Sequence, residues 1–190
     1  MAIDRAGIVG EDGPTHQGIF DIAYLRNLPN IVVMAPKDGK ELEMMLEFAI
    51  SLDRPVAIRY PKDKIPNYKP QIPNEIKLGK AEILKEGKDF WIIALGSMVM
   101  PAWEAIELLE KEGFSGGLIN ARFVKPLDID LFKKLSSKLK YIFTLEEGIL
   151  EGGFGSAVME VMDKQVIRIG LPSEFIPQGK REILLDKYNL

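Results

Sequence analysis

Cysteine is absent from the 190-residue sequence, and histidine occurs once. The first absence excludes disulfides, thiolate catalysis and cysteine-ligated zinc. The second leaves His16 as the sole imidazole for proton transfer near neutral pH. No apolar run approaches the ~18 residues that span a bilayer, and the opening Met1-Ala2-Ile3-Asp4-Arg5 holds no stretch of signal-peptide length. Excess basic charge is missing too: 25 Lys and Arg against 28 Asp and Glu give a net charge of −3. Nucleic-acid binding needs a basic stripe and an anionic membrane a polybasic cluster. Neither is present, so the expectation is a soluble, cytoplasmic protein with no nucleic-acid and no membrane partner.

What is there is a globular composition, with 46% apolar residues to build a core and no bias toward disorder. A Gly-rich opening, residues 7–14, leads to a short helix at 20–26. The apolar run 31–35 is β-branched and too short for an average helix, so it reads as a buried strand. Asp38 followed by Glu41 is a capping-box start for a helix to about Ser51, with Leu42, Met45, Leu46 and Ala49 as its buried stripe. Residues 55–61 form another strand. Pro66, Pro70 and Pro73 then forbid a helix and place a Pro-rich linker at 64–76. From residue 77 the chain alternates: strands at 90–95, 116–120, 141–145 and 166–169, helices at 98–111, 128–139, 154–162 and 180–188. This is an α/β fold with a mainly parallel sheet covered by helices on both faces. Two strands and two helices in residues 1–63 cannot cover a parallel sheet, so that segment is expected to be completed by a partner or by further chain.

Several residues could carry chemistry. His16, in Thr15-His16-Gln17-Gly18, is either a polar loop residue or a proton-transfer group. Asp12 either belongs to an Asp-Gly turn or orients a hydroxyl or imidazole. Arg5 and Arg59, beside strand ends, are either two surface arginines or a forked grip on a phosphate. Gly10-Glu11-Asp12-Gly13 invites comparison with the Gly-Asp-Gly metal motif of thiamine-diphosphate enzymes. The residue order is wrong, and Asn27 and Asn30 do not form the matching pair, so Asp12 is rejected as a metal ligand. Gly152-Gly153-Phe154-Gly155-Ser156 reads as a tight strand-to-helix turn, or else as an anion site at a helix amino end. Glu146-Glu147 reads as a solvated turn at a strand end rather than an acid/base pair.

Taken in order, these segments resemble one family. Asp4-Arg5-Ala6-Gly7-Ile8-Val9-Gly10-Glu11-Asp12-Gly13-Pro14-Thr15-His16-Gln17-Gly18 is similar to a signature of the 1-deoxy-D-xylulose-5-phosphate synthases. The likeness continues through Arg59-Tyr60-Pro61, Arg122-Phe123-Val124-Lys125-Pro126-Leu127-Asp128, Glu146-Glu147, Gly152-Gly153 and Phe175-Ile176-Pro177-Gln178-Gly179. The resemblance implies a transketolase-like enzyme that condenses pyruvate with D-glyceraldehyde 3-phosphate, releasing CO₂, with thiamine diphosphate and Mg²⁺. It implies phosphate binding by Arg5 and Arg59, a hydroxyl held by Asp12, and proton transfer and orientation by His16. Residues 1–63 would be the carboxy-terminal half of a pyrimidine-binding domain and 77–190 a transketolase carboxy-terminal domain. The family's Mg²⁺-diphosphate domain and its activating glutamate have no counterpart here. The expectation is therefore a chain inactive alone, working as a homodimer or with a chain carrying the missing cofactor domain. The alternative is a non-catalytic interaction subunit of a split transketolase-like enzyme.

Overall fold

The computed structural model describes residues 1–64, 75–137 and 141–190. The first segment contributes β1 (Ala2–Ile3), α1 (Asp21–Leu25), β2 (Val32–Met34), α2 (Gly39–Ser51) and β3 (Val56–Arg59). The second contributes β4 (Glu82–Lys85), β5 (Phe90–Ala94), α3 (Val99–Lys111), β6 (Gly116–Asn120) and β7 (Phe123–Lys125). It continues with α4 (Ile129–Ser136), β8 (Tyr141–Ile149), α5 (Phe154–Met159), β9 (Ile167–Leu171) and α6 (Arg181–Lys187). All but three residues of the expected linker, and the expected end of α4 at Leu139, lie outside the described residues.

Two sheets result. The second has the order β4-β6-β5-β8-β9, parallel except for the antiparallel edge strand β4. The β-α alternation dictates this arrangement, and the all-apolar β5 takes the centre because both its faces are covered. The first sheet has the order β1-β3-β2-β7. Its β1, β3 and β2 are parallel, while β7 arrives from the second segment and pairs antiparallel with β2. The incomplete sheet of residues 1–63 is thus extended by a strand from this same chain. Sequence reading missed β4 and β7 and gave β1 no bounds; the three are two to four residues long and lack a period that could mark them.

Apolar clusters join the segments, and in the most extensive Ile22, Val33 and Ala57 pack with Ile93, Ile119, Val124 and Phe154. Beside it lies a buried ionic cluster. Glu41 Oε1 accepts from Arg122 Nε at 2.7 Å and from Asn120 Nδ2 at 2.9 Å. Lys37 Nζ stands 3.3 Å from both Glu41 and Glu82, and Arg122 Nη2 is 2.9 Å from Glu82. Ions this deep persist only when paired, so α2 and the β6–β7 turn hold one another in register.

In α2, Asp38 accepts from the Glu41 N–H at 2.7 Å, and the Glu41 carboxylate reaches back to the Lys37 N–H. The expected cap is present. The expected stripe needs one correction: Met45 is fully buried but Leu46 is 43% exposed. The buried face runs through Glu41 and Met45 with Phe48 and Leu52 beside them, which rotates Leu46 toward solvent.

Candidate functional site

Residues 7–18 form a loop closed at its neck by paired backbone bonds, Gly7 N–H to Gly18 O at 2.8 Å and Gly18 N–H to Gly7 O at 2.9 Å. Glycine is required at both ends. A Cβ at Gly18 would overlap the Arg5 carbonyl, and one at Gly7, where φ is +77°, would enter the Glu147 carboxylate. Inside the loop, Gln17 is buried and its Oε1 accepts the Val9 N–H at 2.7 Å. Asp12 ends a short 3-10 turn, Gly10–Asp12.

The structure brings Arg5 and Asp12 together: Arg5 Nε donates to Asp12 Oδ2 at 3.1 Å. Lys62, just past β3, donates to both oxygens of the same carboxylate, at 3.0 and 2.9 Å. The hydrogen bonds from Lys62 and then Arg5 hold the Asp12 carboxyl below the ordinary carboxylate range. His16 stands exposed on the same loop, its Nδ1 3.2 Å from Thr15 Oγ1. Arg59 takes a different place. It is 3% exposed, and its Nε donates to Asp21 at 2.8 Å. Its Nη2 donates to the Gly18 and Glu147 carbonyls at 3.2 and 3.1 Å. Arg59 therefore lies beneath the neck of the loop, while Arg5 lies on its surface.

Glu146 and Glu147 overturn the expectation of a solvated turn. Both are fully buried within β8, which runs four residues past its expected end at Leu145. Glu147 Oε1 accepts the Ile8 N–H at 2.7 Å, and Oε2 accepts the Ser97 hydroxyl at 2.8 Å. Arg181 of α6 closes on both oxygens at 2.7 and 2.8 Å. The second segment thus grips the loop from below. Glu146 accepts the Phe154 and Gly155 N–H groups at 2.7 Å each. The amino end of α5, read as a turn with an anion as the other possibility, is filled by the protein's own carboxylate. Loss of solvation pushes the Glu146 pKa up to about 7 against those two bonds.

Sequence reading missed Lys62, Ser97, Glu147 and Arg181. The one available signal was the continuation of an apolar strand into Gly148-Ile149, which makes Glu146 and Glu147 interior.

Among the described residues, no group of three or more His, Asp or Glu side chains is placed to hold a metal ion. The described residues do not offer the oxygen ligand set of a Mg²⁺-diphosphate site. No helix among them is long and apolar enough to cross a membrane. The Arg5–Asp12–His16 surface is also separate from two clefts. One, of about 540 Å³, lies between α2, the start of α3 and α6, and the other, of about 620 Å³, lies beside Lys80 and Asp128.

Residues 1–67 match the transketolase pyrimidine binding domain, and residues 79–190 match the transketolase C-terminal domain. The chain belongs to the transketolase family, whose members are thiamine-diphosphate-dependent transferases. Within that family it is similar to 1-deoxy-D-xylulose-5-phosphate synthases. It is 46% identical over 199 residues to the synthase of Caldanaerobacter subterraneus subsp. tengcongensis, covering 100% of this chain and 31% of that protein. It is 47% identical over 197 residues to 1-deoxy-D-xylulose-5-phosphate synthase 1 of Geobacter metallireducens, covering 100% and 32%. The chain thus spans about a third of the length of the curated relatives it matches. Among solved structures, a split gene transketolase described as an inactive beta4 tetramer superposes with a TM-score of 0.89 at 33% identity, over 100% of this chain and 61% of that one. Transketolase from Campylobacter jejuni superposes at 0.75 with 26% identity, over 99% and 28%.

Proposed function

We propose that this chain supplies the acceptor-substrate side of an active site that condenses pyruvate with D-glyceraldehyde 3-phosphate to 1-deoxy-D-xylulose 5-phosphate and CO₂. The product would feed isoprenoid synthesis. The observation that supports this reading is the closed loop 7–18, which carries Asp12 and the exposed His16, with Arg5 bonded to Asp12 and the buried Arg59 bonded to the loop's neck. Thiamine diphosphate, held elsewhere in such an enzyme with Mg²⁺, supplies the carbanion chemistry. This chain's residues bind and orient the aldehyde. Arg5 contacts the phosphate from the surface, and Arg59 adds positive charge from beneath the loop neck. Asp12, kept ionised by its cationic neighbours, accepts a hydrogen bond from the substrate hydroxyl. His16, unencumbered by burial, exchanges a proton with the aldehyde oxygen as the new carbon–carbon bond forms. Residues 1–63 act as half of a pyrimidine-binding domain, and residues 77–190 anchor them.

In this reading the cofactor apparatus belongs to the two thirds of the relatives' length that this chain does not span, so activity requires polypeptide that carries it, whether in the same longer chain or in a partner. A split-enzyme subunit is the second reading, favoured by the superposition on a split gene transketolase. Calorimetric titration of thiamine diphosphate with Mg²⁺ into the purified chain tests this division of labour. No heat of binding and no turnover are expected. Saturable binding, or product formation by the chain alone, would overturn it.

A further inference from the structure

The motif Phe175-Ile176-Pro177-Gln178-Gly179 and the helix after it have no part in the acceptor reading, yet they lie against the loop that carries Asp12 and His16. Gln17 Nε2 donates to the Pro177 carbonyl at 3.5 Å, Gln178 Nε2 to the Glu11 carbonyl at 3.2 Å, and the Gly179 N–H to the Gly10 carbonyl at 3.4 Å. A Cβ at Gly10 would come within 2.9 Å of the Gly179 carbonyl, so the two backbones run in contact. These bonds are long and therefore weak. The bonds that the Glu147 carboxylate accepts are shorter, at 2.7 or 2.8 Å, and they carry the hold. Each oxygen takes one N–H of the Arg181 fork and one further donor. For Oε1 that donor is the Ile8 N–H at the entry to the loop, and for Oε2 it is the Ser97 hydroxyl beyond β5. The Glu147 carbonyl also accepts from Arg59 Nη2 beneath the loop neck. A forked guanidinium sets the plane of a carboxylate, which a rotatable hydroxyl and a single N–H do not. Arg181 is itself tied down, its Nε donating to Asp63 at 3.0 Å.

We propose that Arg181 is a positioning residue for the acceptor site: by fixing the Glu147 carboxylate it pins Ile8, and so sets where Asp12 and His16 stand. The proposal rests on the acceptor reading above, and Arg181 itself need not touch the substrate. Without Arg181 the buried Glu147 carboxylate loses its cation and turns toward whatever solvent it can reach. The Ile8 N–H then has no fixed acceptor. The loop opens from its neck while the second sheet, built on β5, keeps its order.

Two variants of the purified chain test it. Arg181→Ala removes the fork. Glu147→Gln combined with Arg181→Met removes both charges together, and keeps an oxygen for the Ile8 N–H and an amide for the Ser97 hydroxyl, so it is expected to fold even where Arg181→Ala does not. Amide hydrogen exchange compares the Gly7, Ile8 and Gly18 N–H groups with those of β5, and the ratio removes any change in global stability. In parallel, the ring signal of His16, the single histidine, is followed during titration with glycerol 3-phosphate. In both variants the loop amides are expected to exchange about tenfold or more faster relative to β5, and the ligand to bind about tenfold or more weakly. If the double variant regains wild-type loop protection and wild-type ligand response, Arg181 only neutralises Glu147 and the proposal is overturned. Unchanged loop protection also overturns it, and weakened binding would then mean that Arg181 meets the ligand itself. A loosened loop with unchanged binding shows that the clamp does not serve the site, and overturns it too. If the wild-type His16 signal does not respond to the ligand, the acceptor reading itself fails, and the proposal with it.

Discussion

Glu146 gives the protein a pH-dependent stability that one substitution can isolate. Its carboxyl is fully buried, and loss of solvation pushes its pKa from 4.5 to about 7 despite the Gly155 and Phe154 N–H groups and the nearby charges of Arg59 and Arg168. The unfolded chain titrates near the ordinary value, so between the two values the folded protein holds more protons than the unfolded one. The stability from this raised carboxyl is fully present below the unfolded pKa and is lost as pH rises through about 7. A carboxyl displaced from its ordinary value up to about 7 makes the full swing on the order of 3 kcal/mol. Glu146→Gln removes the titration but keeps the shape. Glutamine offers one oxygen to two N–H donors, so the variant should be less stable than the wild type at low pH by about 1–3 kcal/mol. Urea unfolding of both proteins from about pH 5 to about pH 8.5 cancels the titrating groups they share, and the wild type's advantage should fall by roughly 2–3 kcal/mol across that range. A gap constant to within about 0.5 kcal/mol, or one that widens with pH, refutes the reasoning.

The buried cluster predicts that Glu41→Gln, which leaves Lys37 and Arg122 short of counter-charge, costs about 3–5 kcal/mol in urea denaturation. Along the same helix, Met45→Ala should cost about 2–5 kcal/mol, while Leu46→Ala changes stability by about 0.5 kcal/mol or less in the same assay. At the loop, Gly13 has open space around it but a φ of +89°. Gly13→Ala should therefore cost about 1–3 kcal/mol by thermal unfolding, whereas Gly18→Ala, which would strike the Arg5 carbonyl, should abolish the cooperative transition. In an assembled, cofactor-loaded enzyme, His16→Ala should lower kcat by about 10²–10⁴-fold with an unchanged far-ultraviolet dichroism spectrum. A kcat within about threefold of the wild type would remove His16 from proton transfer.

How far the sequence could be read follows the range of the interactions involved. The helix started by Asp38 and Glu41 and the strands at 31–35 and 90–95 are written in local periodicity and capping, and the fold contains them. The joining of the two segments through β7 was not legible, because three residues inside Arg122–Lys125 have no period of their own and pair only across about ninety residues of chain. Glu146 and Glu147 misled for a related reason. Carboxylates signal solvent unless their partners are known, and here the partners are Ile8, Ser97, Arg181 and the start of α5. The surface pairing of Arg5 with Asp12 was not read from the sequence, which set Arg5 with Arg59 instead. The inward turn of Arg59 could not be read either, since it depends on Asp21 meeting it from another element. Lys62 escaped notice because a lysine after a strand is ordinarily a solvated end.

The antiparallel crossing of β7 onto β2 also bears on how chimaeras of such proteins should be built. A graft that exchanges everything after the matched pyrimidine-type segment, at residue 67, also exchanges the fourth strand of the recipient's first sheet. It replaces Asn120 and Arg122 beneath Glu41 at the same stroke. Interchangeable modules between homologues would therefore have to be drawn by spatial layer, with residues 120–125 travelling with α2 and β2, rather than by a single cut in the gene.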